Sequence, residues 1–145
     1  TEVPEMSVSM PFSLRGLAIC LVLAFSALPV AAQDSGPGDV ITRQFEAFRQ
    51  GDMEAAFSHA SPTLKRIFGS SQTFGTMVRQ GYPMVLNPDQ MRILDLREEG
   101  ARLVQRVEVI DRKGVVHLLD YDMVETEMGW KINGVRFVQA PPVAA

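Results

Sequence analysis

Cysteine is nearly absent from this chain: Cys20 is the only one among 145 residues, and it lies in an apolar stretch near the N-terminus. If that stretch is removed, the remainder holds no thiol, which excludes disulfides, thiolate catalysis and cysteine metal sites. Histidine is scarce as well, and His59 and His117 are far apart in sequence, so no metal-ligand spacing is formed and no metal is expected. There is no glycine-rich phosphate loop, and neither a nucleotide nor any other cofactor is expected. Basic residues form no stripe and the formal charge is −3, so nucleic acid is excluded as a partner. Heptads, internal repeats and an acidic tail are missing too. What is present is 46% hydrophobic sequence, enough for one domain with a real core and not for two.

The N-terminal region, residues 1–32, has the three parts of a secretory signal peptide. After the lead Thr1–Glu5, Met6 or Met10 offers a start, and Arg15 supplies a positive flank. Leu17–Leu28 is an apolar run interrupted only by Ser26, and Val30-Ala31-Ala32 places small residues before Gln33 as a cleavage site requires. A membrane anchor would need about 20 apolar residues, and this run is shorter and ends in Pro29. A lipoprotein signal would need a small residue before Cys20, where Ile19 stands. The expected location is therefore outside the cytoplasm, periplasmic or secreted from a bacterium, with no stable membrane span after cleavage. Residues 33–38 read as a flexible lead-in, 39–138 as the folded domain and 139–145 (QAPPVAA) as a loose tail.

The domain opens on Asp39–Phe57. Ile41, Phe45 and Phe48 fall at i, i+4 and i+7, one stripe of a helix. Asp39 stands where an N-cap oxygen belongs, and Gly51 stands where a helix stops. Asp52 caps a second helix whose Met53, Ala56, Phe57 and Ala60 share a face, ended by Ser61-Pro62. A further helical turn is expected over Thr63–Phe68. Ser70/Ser71 reopen a helix carrying Phe74, Met77 and Val78 and ending near Gly81. Met84–Leu86 is expected to be extended, ahead of the turn Asn87-Pro88-Asp89.

From Met91 the apolar period changes from helical to two. Four strands are expected: Met91–Glu98, Ala101–Asp111, Val115–Glu125 and Trp130–Val138, joined by turns at Glu99-Gly100, Arg112-Lys113-Gly114 and around Glu127–Gly129. Opposed residues share a face, so the turn lengths assign faces. The first turn pairs Leu96 with Leu103 and Leu94 with Gln105. The second pairs Val109 with His117, Val107 with Leu119, Gln105 with Tyr121 and Leu103 with Met123. Both select one apolar face: Leu94, Leu96, Leu103, Val107, Val109, Leu119 and Met123. Arg106, Glu108, Asp120 and Asp122 fall on the other, solvated face. A three-residue last turn would add Val135 and Phe137 to the apolar face and set Asp120 opposite Arg136.

Helices followed by a meander ending in Gly129-Trp130-Lys131-Ile132, with Gln44-x3-Phe48-x2-Gly51-Asp52-x2-Ala55-Ala56-Phe57 ahead of it, resemble the nuclear transport factor two-like (SnoaL-like, ketosteroid-isomerase-like) superfamily. Within it the chain is similar to domain-of-unknown-function family 4864. That likeness rests on Ala56-Phe57-x2-Ala60-Ser61-Pro62, Phe74-x2-Met77-Val78-Arg79-x-Gly81-Tyr82-Pro83-x-Val85 and Gly129-Trp130-x-Ile132-x-Gly134-Val135. The resemblance implies an α+β cone-like fold, N-terminal helices packed on a curved four-stranded antiparallel meander sheet, and an exported location. It implies no activity. The superfamily's enzymes use a carboxylate base and a Tyr or Asp oxyanion donor, as ketosteroid isomerase does, but Phe45 and Phe48 stand where a phenol would be sought. No catalytic residue carries over.

Three polar side chains fall on the apolar face: Gln105, His117 and Tyr121. Gln105 and Tyr121 are cross-strand neighbours, and His117 lies four residues from Tyr121. Such a set in an apolar wall could orient a small ligand; equally, the three could bond each other or nearby backbone. His117 is not read as a general base, because no acid on that face is placed to orient it. Tyr82, before Pro83 at the helix–sheet junction, could roof a pocket or simply pack there. The leading functional expectation is a non-enzymatic module that binds a small apolar ligand or a protein partner. The alternatives are an isomerase- or hydrolase-type enzyme and a subunit of an assembly such as a homodimer.

Overall fold

The computed structural model describes residues 36–138; the signal-peptide reading of residues 1–32, most of the lead-in and the tail at 139–145 lie outside the described residues. Helix α1 runs over Pro37–Arg49 and α2 over Met53–Ser58. Asp39 is not the cap. Pro37 sits at the first helical position, where its missing N–H costs nothing and its fixed φ favours the helix, so α1 begins three residues earlier, behind Gly36. Asp39 falls in the first turn, where its charge favours the helix dipole. The α1 stripe buries Ile41, Phe45 and Phe48 as expected, and Gln44 with them. Gly51, at φ +72°, makes the reversal, and Asp52 Oδ1 accepts from Ala55 N at 3.0 Å to start α2.

Helix α3 spans Pro62–Phe68 and α4 spans Ser71–Gly81, each capped by the serine before it: Ser61 Oγ accepts from Leu64 N, and Ser70 Oγ from Thr73 N. Phe74 of α4 centres an aromatic cluster, with the rings of Phe57, Phe68 and Phe48 at 5.1, 5.7 and 6.0 Å. Pro83–Val85 forms a short 3-10 turn rather than an extended segment. Pro83 at its first position carries the φ such a turn needs, and Leu86 N closes it on the Pro83 carbonyl at 3.2 Å. No described helix is long and apolar enough to cross a membrane.

The strands β1 (Gln90–Glu99), β2 (Arg102–Ile110), β3 (Val116–Thr126) and β4 (Gly129–Phe137) form one antiparallel sheet in sequence order. The β2–β3 register is the expected one throughout, from Leu103↔Met123 to Val109↔His117. Val107, Val109 and Leu119 are wholly buried on the face that meets the helices. In β3–β4, Asp120 stands opposite Arg136 as expected, by a different route. The turn at Glu127–Met128 is one residue shorter than expected, and an irregularity between Asp122 and Met123 restores the register beyond it.

The first hairpin differs. Its turn is Gly100–Ala101, with Gly100 at φ +62°, so Glu98 pairs with Leu103 and Leu96 with Gln105. A bulge between Ile93 and Leu96 then shifts the register by one. Met91 and Ile93, not Leu94, therefore stand opposite Val109 and Val107. Leu96 keeps its face but is 47% exposed at the sheet margin.

Candidate functional site

Between the helices and the sheet lies a cavity of about 230 Å³. Its wall is made by Phe48 of α1, Leu64 and Phe68 of α3, Phe74, Met77 and Val78 of α4, Val85, and Ile132 and Val135 of β4. The polar groups in it are few: Gln44, Tyr82 and Tyr121. None of the described residues in the wall carries a carboxylate, imidazole, amine or guanidinium.

Each polar group is placed by the fold. Gln44 projects from the buried stripe of α1, one turn before Phe48, and is 5% exposed. Its Nε2 donates to the Ala56 carbonyl at 3.1 Å, which ties α1 to α2. That acceptor also orients the amide, because only the nitrogen can face a carbonyl. Its Oε1 accepts no hydrogen bond among the described residues. Tyr82, at the end of α4, stacks on Phe137 at 5.0 Å and donates its hydroxyl to the Val135 carbonyl at 2.9 Å. Tyr121, central on β3, is 1% exposed and packs its ring against Phe45 at 6.5 Å. Its hydroxyl has no hydrogen-bond partner among the described residues. No fully enclosed side-chain polar atom in the described residues lacks a partner, so this hydroxyl and Gln44 Oε1 are not fully enclosed, and both residues line the cavity. Burial, with the neighbouring Tyr82 phenol, pushes the Tyr121 hydroxyl above the ordinary phenol range, which keeps it protonated and able to donate.

Of the four residues singled out from the sequence, Tyr82 and Tyr121 meet in this wall, while Gln105 and His117 stand elsewhere. Gln105, 3% exposed, directs Nε2 to the carbonyls of Leu94, Asp95 and Arg106 at 2.9, 3.1 and 3.2 Å. The first two belong to the β1 bulge, so Gln105 satisfies backbone acceptors that the bulge takes out of the ladder. His117 Nε2 lies 2.9 Å from Asp111 Oδ2, so an acid is in fact placed to orient it. The strand pattern hides this because Asp111 belongs to the turn. Asp111 Oδ1 accepts from Lys113 N and Val115 N, and the pair braces the β2–β3 connection. The His117 contact and the Val115 amide hold the Asp111 carboxyl below its usual range. Gln44 is the group the sequence reading missed. Its signal is a polar residue on an otherwise apolar helical stripe.

The outer face of the sheet carries a second polar cluster. Asp120 is not solvated: its side chain is 5% exposed, with Oδ2 2.7 Å from Arg97 Nη2 and Oδ1 3.0 Å from Arg106 Nε. Arg136 bridges Asp122 at 2.8 Å and Glu99 at 3.1 Å, and Arg97 Nε donates to Glu99 at 2.9 Å. Burial alone would raise the Asp120 carboxyl, but Arg106 and Arg97 outweigh it and bring it down to about 2. The guanidiniums lie over the aspartate like a lid, which is why an outward-facing residue is buried.

The model of the family described as Domain of unknown function (DUF4864) matches residues 31–145. The chain belongs to this family. No curated protein matches this DUF4864 member in sequence. Among solved structures it is similar to a SEC-C motif containing protein from Rhodopseudomonas palustris, 14% identical with a TM-score of 0.55, over 73% of this chain and 81% of that one. It is also similar to a Campylobacter jejuni protein described as an NTF2-like transpeptidase, again 14% identical, with a TM-score of 0.50 over 68% of this chain and 98% of that one. At that identity the likeness shows the fold alone: the DUF4864 domain is α+β and NTF2-like, as its sequence resemblance implied.

Proposed function

We propose that this DUF4864 protein is an exported, non-enzymatic binding module that holds a small, largely apolar ligand in the cavity between α1, α4 and the sheet. The observation that carries the reading is the Tyr121 hydroxyl, in a residue 1% exposed and without a partner among the described residues, at an apolar cavity of about 230 Å³. A hydroxyl with no partner on the described fold, set beside an apolar cavity, is a group that a bound ligand can complete. Among the described residues the wall offers no acid–base group for isomerase or hydrolase chemistry. Export is supported by the three-part N-terminal pattern, and the family match begins at residue 31, beside the small residues before Gln33.

Titrating the folded domain with toluene, followed by NMR, tests the cavity. Shifts should cluster at Phe74, Val78, Tyr121 and Ile132 and should vanish in Met77→Trp, which fills the space. Binding that survives Met77→Trp, or no binding at all, overturns the reading. Mass spectrometry of protein from a bacterial envelope fraction tests export: a chain beginning near Gln33 is expected, and an intact N-terminus in the cytoplasm would count against it.

A further inference from the structure

Resting on that binding reading, we infer that the ligand is a neutral, single-ring hydroxyl compound, a phenol or ring alcohol, whose O–H donates to Gln44 Oε1 while its oxygen accepts from the Tyr121 hydroxyl. The size argument comes first. An apolar cavity of about 150 Å³ accommodates benzene, and drug-sized ligands need about 300 Å³ or more. A cavity of about 230 Å³ therefore suits one ring with a small substituent. The rings of Phe48, Phe68 and Phe74 give it an aromatic wall, which favours a planar partner.

The polar groups then decide the head. Gln44 Oε1 is an acceptor only, fixed in that orientation by the bond from Nε2 to Ala56 O. Tyr121 can donate and accept, but the two do not bond each other. A ketone or ether would accept from Tyr121 and leave the glutamine oxygen without a donor. A carboxylate would bring a charge into a wall whose described residues offer no cation to meet it. Of these head groups, a hydroxyl completes both at once. The same logic makes the site discriminating, because an analogue lacking the proton leaves a buried acceptor bare.

The test compares four probes of one shape, p-cresol, 4-methylanisole, toluene and p-toluate, by NMR or calorimetric titration near neutral pH. p-Cresol should bind on the order of tenfold more tightly than toluene or 4-methylanisole, and p-toluate more weakly than all three. Tyr121→Phe should reduce the preference for p-cresol over toluene to less than about threefold while leaving toluene affinity in place. Gln44→Met, which keeps length and loses the acceptor, should do the same. Equal binding of p-cresol, 4-methylanisole and toluene would overturn the hydroxyl inference and leave the cavity reading standing. A p-cresol preference untouched by both substitutions would also overturn it. Failure of every probe, toluene included, would remove the cavity reading beneath it.

Discussion

Asp120 and Tyr121 are neighbours on β3, point to opposite faces and are both buried, yet their surroundings differ completely. Asp120 accepts four hydrogen bonds, two from Arg97 at 2.7 and 3.5 Å and two from Arg106 at 3.0 and 3.2 Å, with Arg136 beyond them. Tyr121 has no partner for its hydroxyl among the described residues. A buried polar group that is fully bonded gives the fold its stability and register, and removing it is costly. A buried polar group left open weakens the fold slightly and waits for something else to complete it. The difference separates a cluster whose groups complete one another from a hydroxyl left open, on the face that we propose binds the ligand.

Substitutions at the two positions should therefore have opposite consequences. Asp120→Ala leaves Arg97, Arg106 and Arg136 converging with their shared acceptor gone, and should cost about 3 kcal/mol, read as a fall in melting temperature without loss of toluene binding. The same carboxylate sets an acid limit. Its folded pKa of about 2 lies below the unfolded value of about 3.9, so its contribution is full above pH ~4 and is lost as pH falls towards 2. That loss should approach about 2 kcal/mol in low salt and shrink as salt rises, because the arginines reach solvent. Denaturant melts at pH 5 and pH 2.5, with Asp120→Asn as the control, measure it. Gln105→Leu should cost about 1–2 kcal/mol by stripping the bulge carbonyls of their donor, and should leave binding unchanged. Tyr121→Phe should have the smallest effect on folding, within about 0.5 kcal/mol, because no hydrogen bond among the described residues is lost. A large drop in melting temperature for Tyr121→Phe, or none for Asp120→Ala, would break the contrast.

Period and turn length made most of the sheet legible. The β2–β3 register follows from Arg112-Lys113-Gly114 alone, and Val107 and Leu119 are buried where alternation places them. The first hairpin was not legible, because a bulge at Leu94 and Asp95 has no residue-type signature here and its stabilising partner, Gln105, comes from another strand. Alternation also predicts direction and not coverage. It puts Asp120 outward correctly but cannot show that the arms of Arg97 and Arg106 fold over it. For the cavity, Tyr82 and Tyr121 could be named from the sequence. Gln44 carries a signal, a polar residue on an apolar stripe, but its role depends on an amide held by Ala56, twelve residues away on the next helix.

The junction between α2 and α3 has one more consequence. Ala60 forms a parallel bridge with Ile132, His59 O receives the Ile132 amide at 2.9 Å, and Ser61 N donates to the Ile132 carbonyl at 2.7 Å. Ser61 Oγ adds a bond to Asn133 Oδ1 at 2.7 Å. These bonds occupy the middle of the outermost strand, where an uncovered row of backbone groups would otherwise invite another chain to add on. At the opposite margin the bulge bends β1 out of line, and Arg92, Asp95 and Arg97 place charges along it. Neither margin is a template for fibril-like stacking. The Ile132 amide should exchange with deuterium as slowly as core amides although its strand has a neighbour on one side only.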